Sequence, residues 1–238
     1  MKKIEKIFVF LVVAVAFCTV FALAEPYGAD AVSYVTSSRY NTSAISPDSI
    51  EAIAGNVTEV TLNATTVTTS WQGFYGNVTG NIILADSSGN NFYDWNLTNP
   101  SGQVYASRSN AVTWASIDCI TPVLLSGEET YLGQTSDDGD SVTNTYTLTN
   151  HPWFLSGTTN ITGCNATKAY DSTGSPGADS FWQVLLSDGV NTVYSTILED
   201  GLTNGFNNAP WHFELLVGEN GKTGNEGSTP YYFYVELQ

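Results

Sequence analysis

Tyr231-Tyr-Phe-Tyr-Val-Glu-Leu237 closes the chain in strict alternation, with Tyr231, Phe233, Val235 and Leu237 pointing one way and Tyr232, Tyr234 and Glu236 the other. Aromatic and β-branched residues at a period of two suit a pleated strand with one face in a core. Reading back toward the N-terminus, the same alternation recurs between clusters of Gly, Asn, Asp and Pro. It predicts further strands over 57–72, 78–85, 91–97, 103–107, 111–117, 142–149, 160–168, 180–187, 192–198 and 210–217, with the last at 230–237. A helical period is brief. Ser46 as cap, Pro47 at the first position, Asp48 and Glu51 near the start and Gly55 at the end predict a helix over Pro47 to Ala54, and a second turn of helix fits Gly127 to Leu132. Short strands with no helices between them exclude a parallel α/β sheet. The expected fold is therefore all-β, an antiparallel β-sandwich or jelly roll with one short helix.

Outward from this region, residues 1–24 have a different character. Lys2, Lys3 and Lys6 precede an apolar run from Ile7 to Ala22, and Ala22-Leu23-Ala24 stands directly before Glu25-Pro26. This is the pattern of a cleaved secretory signal, with an uncleaved membrane anchor as the alternative. The expected organisation is a signal at 1–24, an extended segment at 25–45 and a single β-sandwich domain at 46–238, with no membrane span after cleavage and an extracellular, cell-surface location. The stretches Ile82 to Tyr93 and Val184 to Tyr194 both read as an apolar strand, an Asp-led turn and a second strand. A duplicated half-domain would explain them, but hairpins with such turns are common and no linker parts the halves, so one domain is expected.

Charge narrows function. Three of the seven Lys and Arg and one of the 23 Asp and Glu lie within residues 1–24, which leaves four cations, 22 acids and a net charge of −18. Phosphate backbones and anionic membranes would repel such a chain, so nucleic acid is excluded as a partner, and Arg-clamped phosphoryl chemistry is poorly supported. Apolar residues at 42% and aromatics at 13% are enough to fill a core, which sets the chain apart from a disordered acidic tail.

Beyond residue 24 two cysteines remain, Cys119 and Cys164. In an exported chain they are expected to form one disulfide, with buried free thiols as the alternative. Closing that loop stabilises the fold by about 4 kcal/mol. Seven Asn-x-Ser/Thr sequons are candidate glycosylation sites, at Asn41, Asn56, Asn63, Asn77, Asn96, Asn160 and Asn165.

Thr68-Thr-Ser-Trp-Gln-Gly-Phe-Tyr-Gly-Asn-Val-Thr-Gly80, its continuation through Asp86, Phe92-Tyr-Asp-Trp95 and the closing Tyr231 to Leu237 resemble segments of exported archaeal cell-surface proteins. The resemblance implies a surface β-sandwich of filament or surface-layer type, and it carries no catalytic residue.

Enzyme chemistry needs a constellation, and none stands out; the chain is expected not to be an enzyme. There is no Gly-x-Ser-x-Gly elbow, and His151 and His212 belong to no motif, so each is read as a packed strand residue. Sandwich glycosidases need two acids on neighbouring strands, and Glu214 and Glu236, on the two last strands, are the pair to test, with solvated acids as the ordinary reading. Asp137, Asp138 and Asp140 place three carboxylates in one turn, a ligand type that fits Ca²⁺, although the spacing is not that of an EF-hand. Six tryptophans, at 71, 95, 114, 153, 182 and 211, could stack on sugar rings if coplanar and exposed, but most are expected in the core.

Together these features predict an N-glycosylated structural subunit of an extracellular filament or surface layer, a homopolymer of its own copies. Ala31 to Tyr40, alternating around Val32, Tyr34 and Thr36, is the expected donor strand, pairing with a sheet edge of a neighbour. The alternative is a secreted carbohydrate-binding module or jelly-roll glycosidase, with surface glycans as partners.

Overall fold

The computed structural model describes residues 25–40, 48–177, 179–220 and 228–238. In chain order its strands are β1 (Tyr27–Gly28), β2 (Trp71–Gly76), β3 (Gly80–Ala85), β4 (Asn91–Leu97), β5 (Gly102–Ser107), β6 (Asp118–Cys119), β7 (Phe154–Ser156), β8 (Thr159–Ile161), β9 (Ala166–Lys168), β10 (Trp182–Ser187), β11 (Thr192–Ile197), β12 (Thr203–Asn204), β13 (Pro210–Trp211), β14 (Phe213–Gly218) and β15 (Tyr232–Leu237). Two helices, α1 (Pro122–Leu132) and α2 (Val142–Thr145), lie between β6 and β7.

The fold is an all-β antiparallel sandwich. Its main sheet runs β1-β15-β5-β11-β10-β6, with β9 also on β10, and every pairing is antiparallel. The closing strand behaves as its alternation predicts. Tyr231, Phe233, Val235 and Leu237 pack on one core, which includes Val104, Ala106, Leu185, Tyr194, Leu215 and Val217, while Tyr234 joins the other. That first core is covered by the two-stranded sheet β14–β2 and by Leu124, Leu125 and Leu132 of α1. The second core lies on the opposite face around Tyr105, Trp114, Phe154, Ile161, Trp182 and Val193. β5 and β10 are consequently buried along their whole length, on both faces.

Backbone approach is closest at Gly102, where φ is 128° and a Cβ would sit 1.9 Å from the carbonyl oxygen of Glu236. Only glycine fits there, and it lets β5 register against β15 from its first residue.

Several expected elements differ. α1 is longer than the turn read at Gly127 to Leu132, because Thr121 accepts a hydrogen bond from the N–H of Leu124, Pro122 occupies the first turn and Gly133 ends the helix at φ 68°. The strand expected at 142–149 begins instead as α2. Ser141 caps it through the N–H of Asn144 and Glu129 accepts from the N–H of Thr143, and these local bonds outweigh the β-propensity of Val142 and Thr143. The 111–117 strand is replaced by a 3₁₀ turn at Trp114–Ser116, which sets the Trp114 ring between Tyr105 and Tyr234. No helix forms over 48–54, where every side chain is exposed; so short a helix has nothing to pack on. Pro47 lies outside the described residues. The strand expected over 57–72 starts only at Trp71, and residues 57–67 form no hydrogen bond among the described residues.

Candidate functional site

The disulfide forms between Cys119 on β6 and Cys164 in the β8–β9 connection, with Cα atoms 5.0 Å apart. It fastens the edge strand β6 to the layer beneath the second core. Of the sequons, Asn56, Asn63, Asn77, Asn96 and Asn160 are exposed. Asn165 is half-buried with its amide donating to the Tyr146 carbonyl at 3.1 Å, and Asn41 lies outside the described residues, as does the signal at 1–24.

The acidic turn does not gather ligands. Asp138 accepts from the Thr135 N–H at 2.7 Å and Asp140 from the Thr68 hydroxyl at 2.6 Å. Among the described residues no group of three His, Cys, Asp or Glu side chains is arranged to hold a metal, and Asp137, Asp138 and Asp140, expected as Ca²⁺ ligands, are not gathered into such a group. Two of those carboxylates organise loops instead.

Glu214 and Glu236 are not a facing pair either. Glu214 sits on β14, accepting from the N–H of Phe206 at 2.8 Å, and burial together with the nearby carboxylates Glu199 and Asp171 holds its pKa above the usual range. Glu236 sits on β15 in the other sheet, accepting from the Tyr105 hydroxyl at 3.0 Å and the Gly157 N–H at 3.1 Å, and burial raises it too. Each carboxylate is consumed by its own neighbours. His151 accepts from the Cys164 N–H through Nε2 at 3.1 Å, which makes Nδ1 the donor to the Pro152 carbonyl; burial holds its pKa low. His212 accepts from the N–H of Val78. Both imidazoles stitch backbone together.

Trp114 and Trp182 are core residues, Trp71 and Trp211 are half-buried, and Trp95 and Trp153 are exposed. Trp95 stacks with Tyr93 at 4.7 Å between centroids, but the rings are tilted by 51°; Tyr75, Phe206 and Trp211 meet edge to face. Neither group presents the parallel rings of a flat sugar platform.

What the described surface does present is unpartnered β-structure. Residues 25–29 are tied in place, with Tyr27 opposite Val235, Gly28 opposite Tyr234 and the Ala29 N–H on the Phe233 carbonyl. Val32, Tyr34 and Thr36 follow, exposed and without a strand partner among the described residues; Tyr34 is 80% exposed. The β3–β4 hairpin pairs with no other strand among the described residues. Its register places Ile82, Leu84, Tyr93 and Trp95 on one face and Asn81, Asp94 and the sequon Asn96 on the other, so an apolar face lies open, with Trp95 at 49% exposure. A charge network escaped the sequence reading as well: Arg108, beyond β5, forms a bidentate pair with Glu128 of α1, which also accepts from the Tyr194 hydroxyl at 2.6 Å. An Arg and a Glu 20 residues apart carry no local signal for such a pair.

No protein-family model, no curated protein and no solved structure matches this chain. Among the described residues no helix is long and apolar enough to cross a membrane.

Proposed function

We propose that this chain is an exported, N-glycosylated structural subunit of a homopolymeric extracellular filament or surface layer, joined copy to copy by strand addition. The observation that carries the reading is residues 30–40, an exposed run in no element of structure that leaves the β15 edge at Ala29 and pairs with nothing described. In an antiparallel sandwich such a run is a strand without a sheet, and a neighbour's edge supplies the missing hydrogen bonds. The disulfide, the acid-rich composition and the exposed sequons suit life outside the cell. The open apolar face of β3–β4 suits contact with further copies. The resemblance to archaeal surface proteins points the same way.

The test is the double substitution Val32→Asp with Tyr34→Asp, which leaves the Tyr27 and Gly28 pairings untouched. Light scattering of the purified protein is expected to show large assemblies for the wild type and monomers for the variant; assembly at the wild-type level in the variant would count against this donor.

A further inference from the structure

The described residues also hold a strand-like segment without a partner and a sheet edge without a further strand. Val57 to Val67 makes no hydrogen bond among the described residues and is exposed almost throughout, Leu62 at 84%. Its sequence is nonetheless that of a strand. Val60, Leu62 and Ala64 fall on one face and Glu59, Thr61, Asn63 and Thr65 on the other, so the sequon Asn63 lies on the polar side. At about 3.3 Å per residue it spans roughly 35 Å, longer than the roughly 20 Å of a six-residue strand such as β2.

The edge is that of β2. The second layer of the sandwich holds two strands, β14 and β2, and among the described residues neither outer edge pairs with a further strand. At β14 the Leu216 N–H donates to the Gln183 side chain at 2.7 Å, and the Leu216 carbonyl accepts from the Tyr146 hydroxyl at 3.4 Å. Among the described residues β2 pairs with β14 alone, and the carbonyl of Gly73 is met only by the side chain of Gln72 beside it. Trp71-Gln-Gly-Phe-Tyr-Gly76 carries no charge and no proline, the usual guards of an exposed edge, and a Cβ built at Gly73 meets nothing within 4 Å.

The chain's own arm is held away from that seat. Just ahead of β2, the Thr68 hydroxyl donates to Asp140 at 2.6 Å, Trp71 Nε1 donates to the Asp140 carbonyl at 2.7 Å, and the Ser70 carbonyl accepts from the Glu219 N–H at 2.9 Å. A hairpin folding 57–67 back onto β2 would have to turn within these pinned residues.

We infer that residues 58–66 of a second copy add as a strand to the open edge of β2, with Val60, Leu62 and Ala64 turned onto the second layer and Asn63 left in solvent. The inference rests on the reading of the chain as a strand-adding homopolymer and names the seat and its occupant. It is tested in two measurements on the purified protein. Leu62→Cys and Gln72→Cys are made on separate copies, mixed and bridged with a short bismaleimide, so that a 62–72 link can form only between molecules. A cross-linked dimer at least tenfold above that formed with Val190→Cys in place of Gln72→Cys is expected, and parity with that control would overturn the inference. Leu62→Asp, at an exposed position, is expected to disperse the assembly with an unchanged melting temperature. If Leu62→Asp assembles like the wild type while Val32→Asp with Tyr34→Asp disperses, the strand-adding reading stands and this seat falls. If the wild type never assembles, both fall.

Discussion

Glu199, Glu214 and Glu236 each carry a carboxyl whose burial pushes its pKa above the ordinary 4.5, against hydrogen bonds that pull it down. Their folded forms keep a proton that the unfolded chain has already lost, so stability is gained as pH falls from neutral through the raised values, and the gain is complete below the ordinary one. Asp188 works in the opposite sense. Burial raises it, but donors from Asn191, Thr113 and Val190 more than offset this, and its pKa lies below 3.8; its contribution is present above that value and is lost on further acidification. The melting temperature is therefore expected to peak in mild acid, at about pH 4 to 5, and Glu199→Gln with Glu214→Gln is expected to flatten the rise between pH 8 and that peak. A profile that falls steadily from pH 8 downward would contradict this. Arg108 and Glu128 offer a second check, since the Glu128 side chain is only 1% exposed. Arg108→Met leaves that carboxylate buried without its counter-charge and is expected to cost about 3 kcal/mol in urea unfolding, much of it recovered by adding Glu128→Leu. Little of this was legible beforehand. Glu214 and Glu236 were visible as acids on neighbouring strands in sequence, but which sheet each strand joins depends on pairings that local sequence does not encode.

At the scale of elements, alternation located strands both on and off the cores and failed where side-chain caps competed. β4 and β15 fall where the period of two placed them, whereas Ser141 and Glu129 turned a β-branched segment into α2. The 57–67 arm has the composition of a strand and lacks only a partner, which no reading of a single chain can supply. The two similar hairpins share their turn chemistry and differ in setting. Asp86 accepts from the N–H groups of Ser88 and Asn90, and Asp188 from those of Val190 and Asn191, yet β10–β11 is the buried centre of the main sheet and β3–β4 lies exposed. Gly102 gives a sharp test of the register. Gly102→Ala forces a Cβ onto the Glu236 carbonyl and should destabilise the fold by more than about 2 kcal/mol. An alanine variant with unchanged stability would mean that β15 does not meet β5 as described. The disulfide is the other element-scale lever: Cys119→Ala with Cys164→Ala is expected to lower stability by about 3 to 4 kcal/mol in denaturant titrations, independently of Gly102.

For the whole molecule, two features stand together: a sandwich closed by two cores and a disulfide, and strand-like segments outside it that have no strand partner among the described residues. The first came through in composition, cysteine count and turn punctuation. The second came through only as strand-like segments with an unassigned mate, because a sequence carries the strand pattern but not the contact that completes it. A high net negative charge opposes close association of copies through long-range repulsion, so salt should promote assembly if backbone pairing drives it. The most direct measurement is electron microscopy of the purified protein at moderate salt. Filaments or lattices, with a neighbour's strand resolved beside a sheet edge, are what strand addition requires; dispersed single particles that instead bind glycans would contradict it.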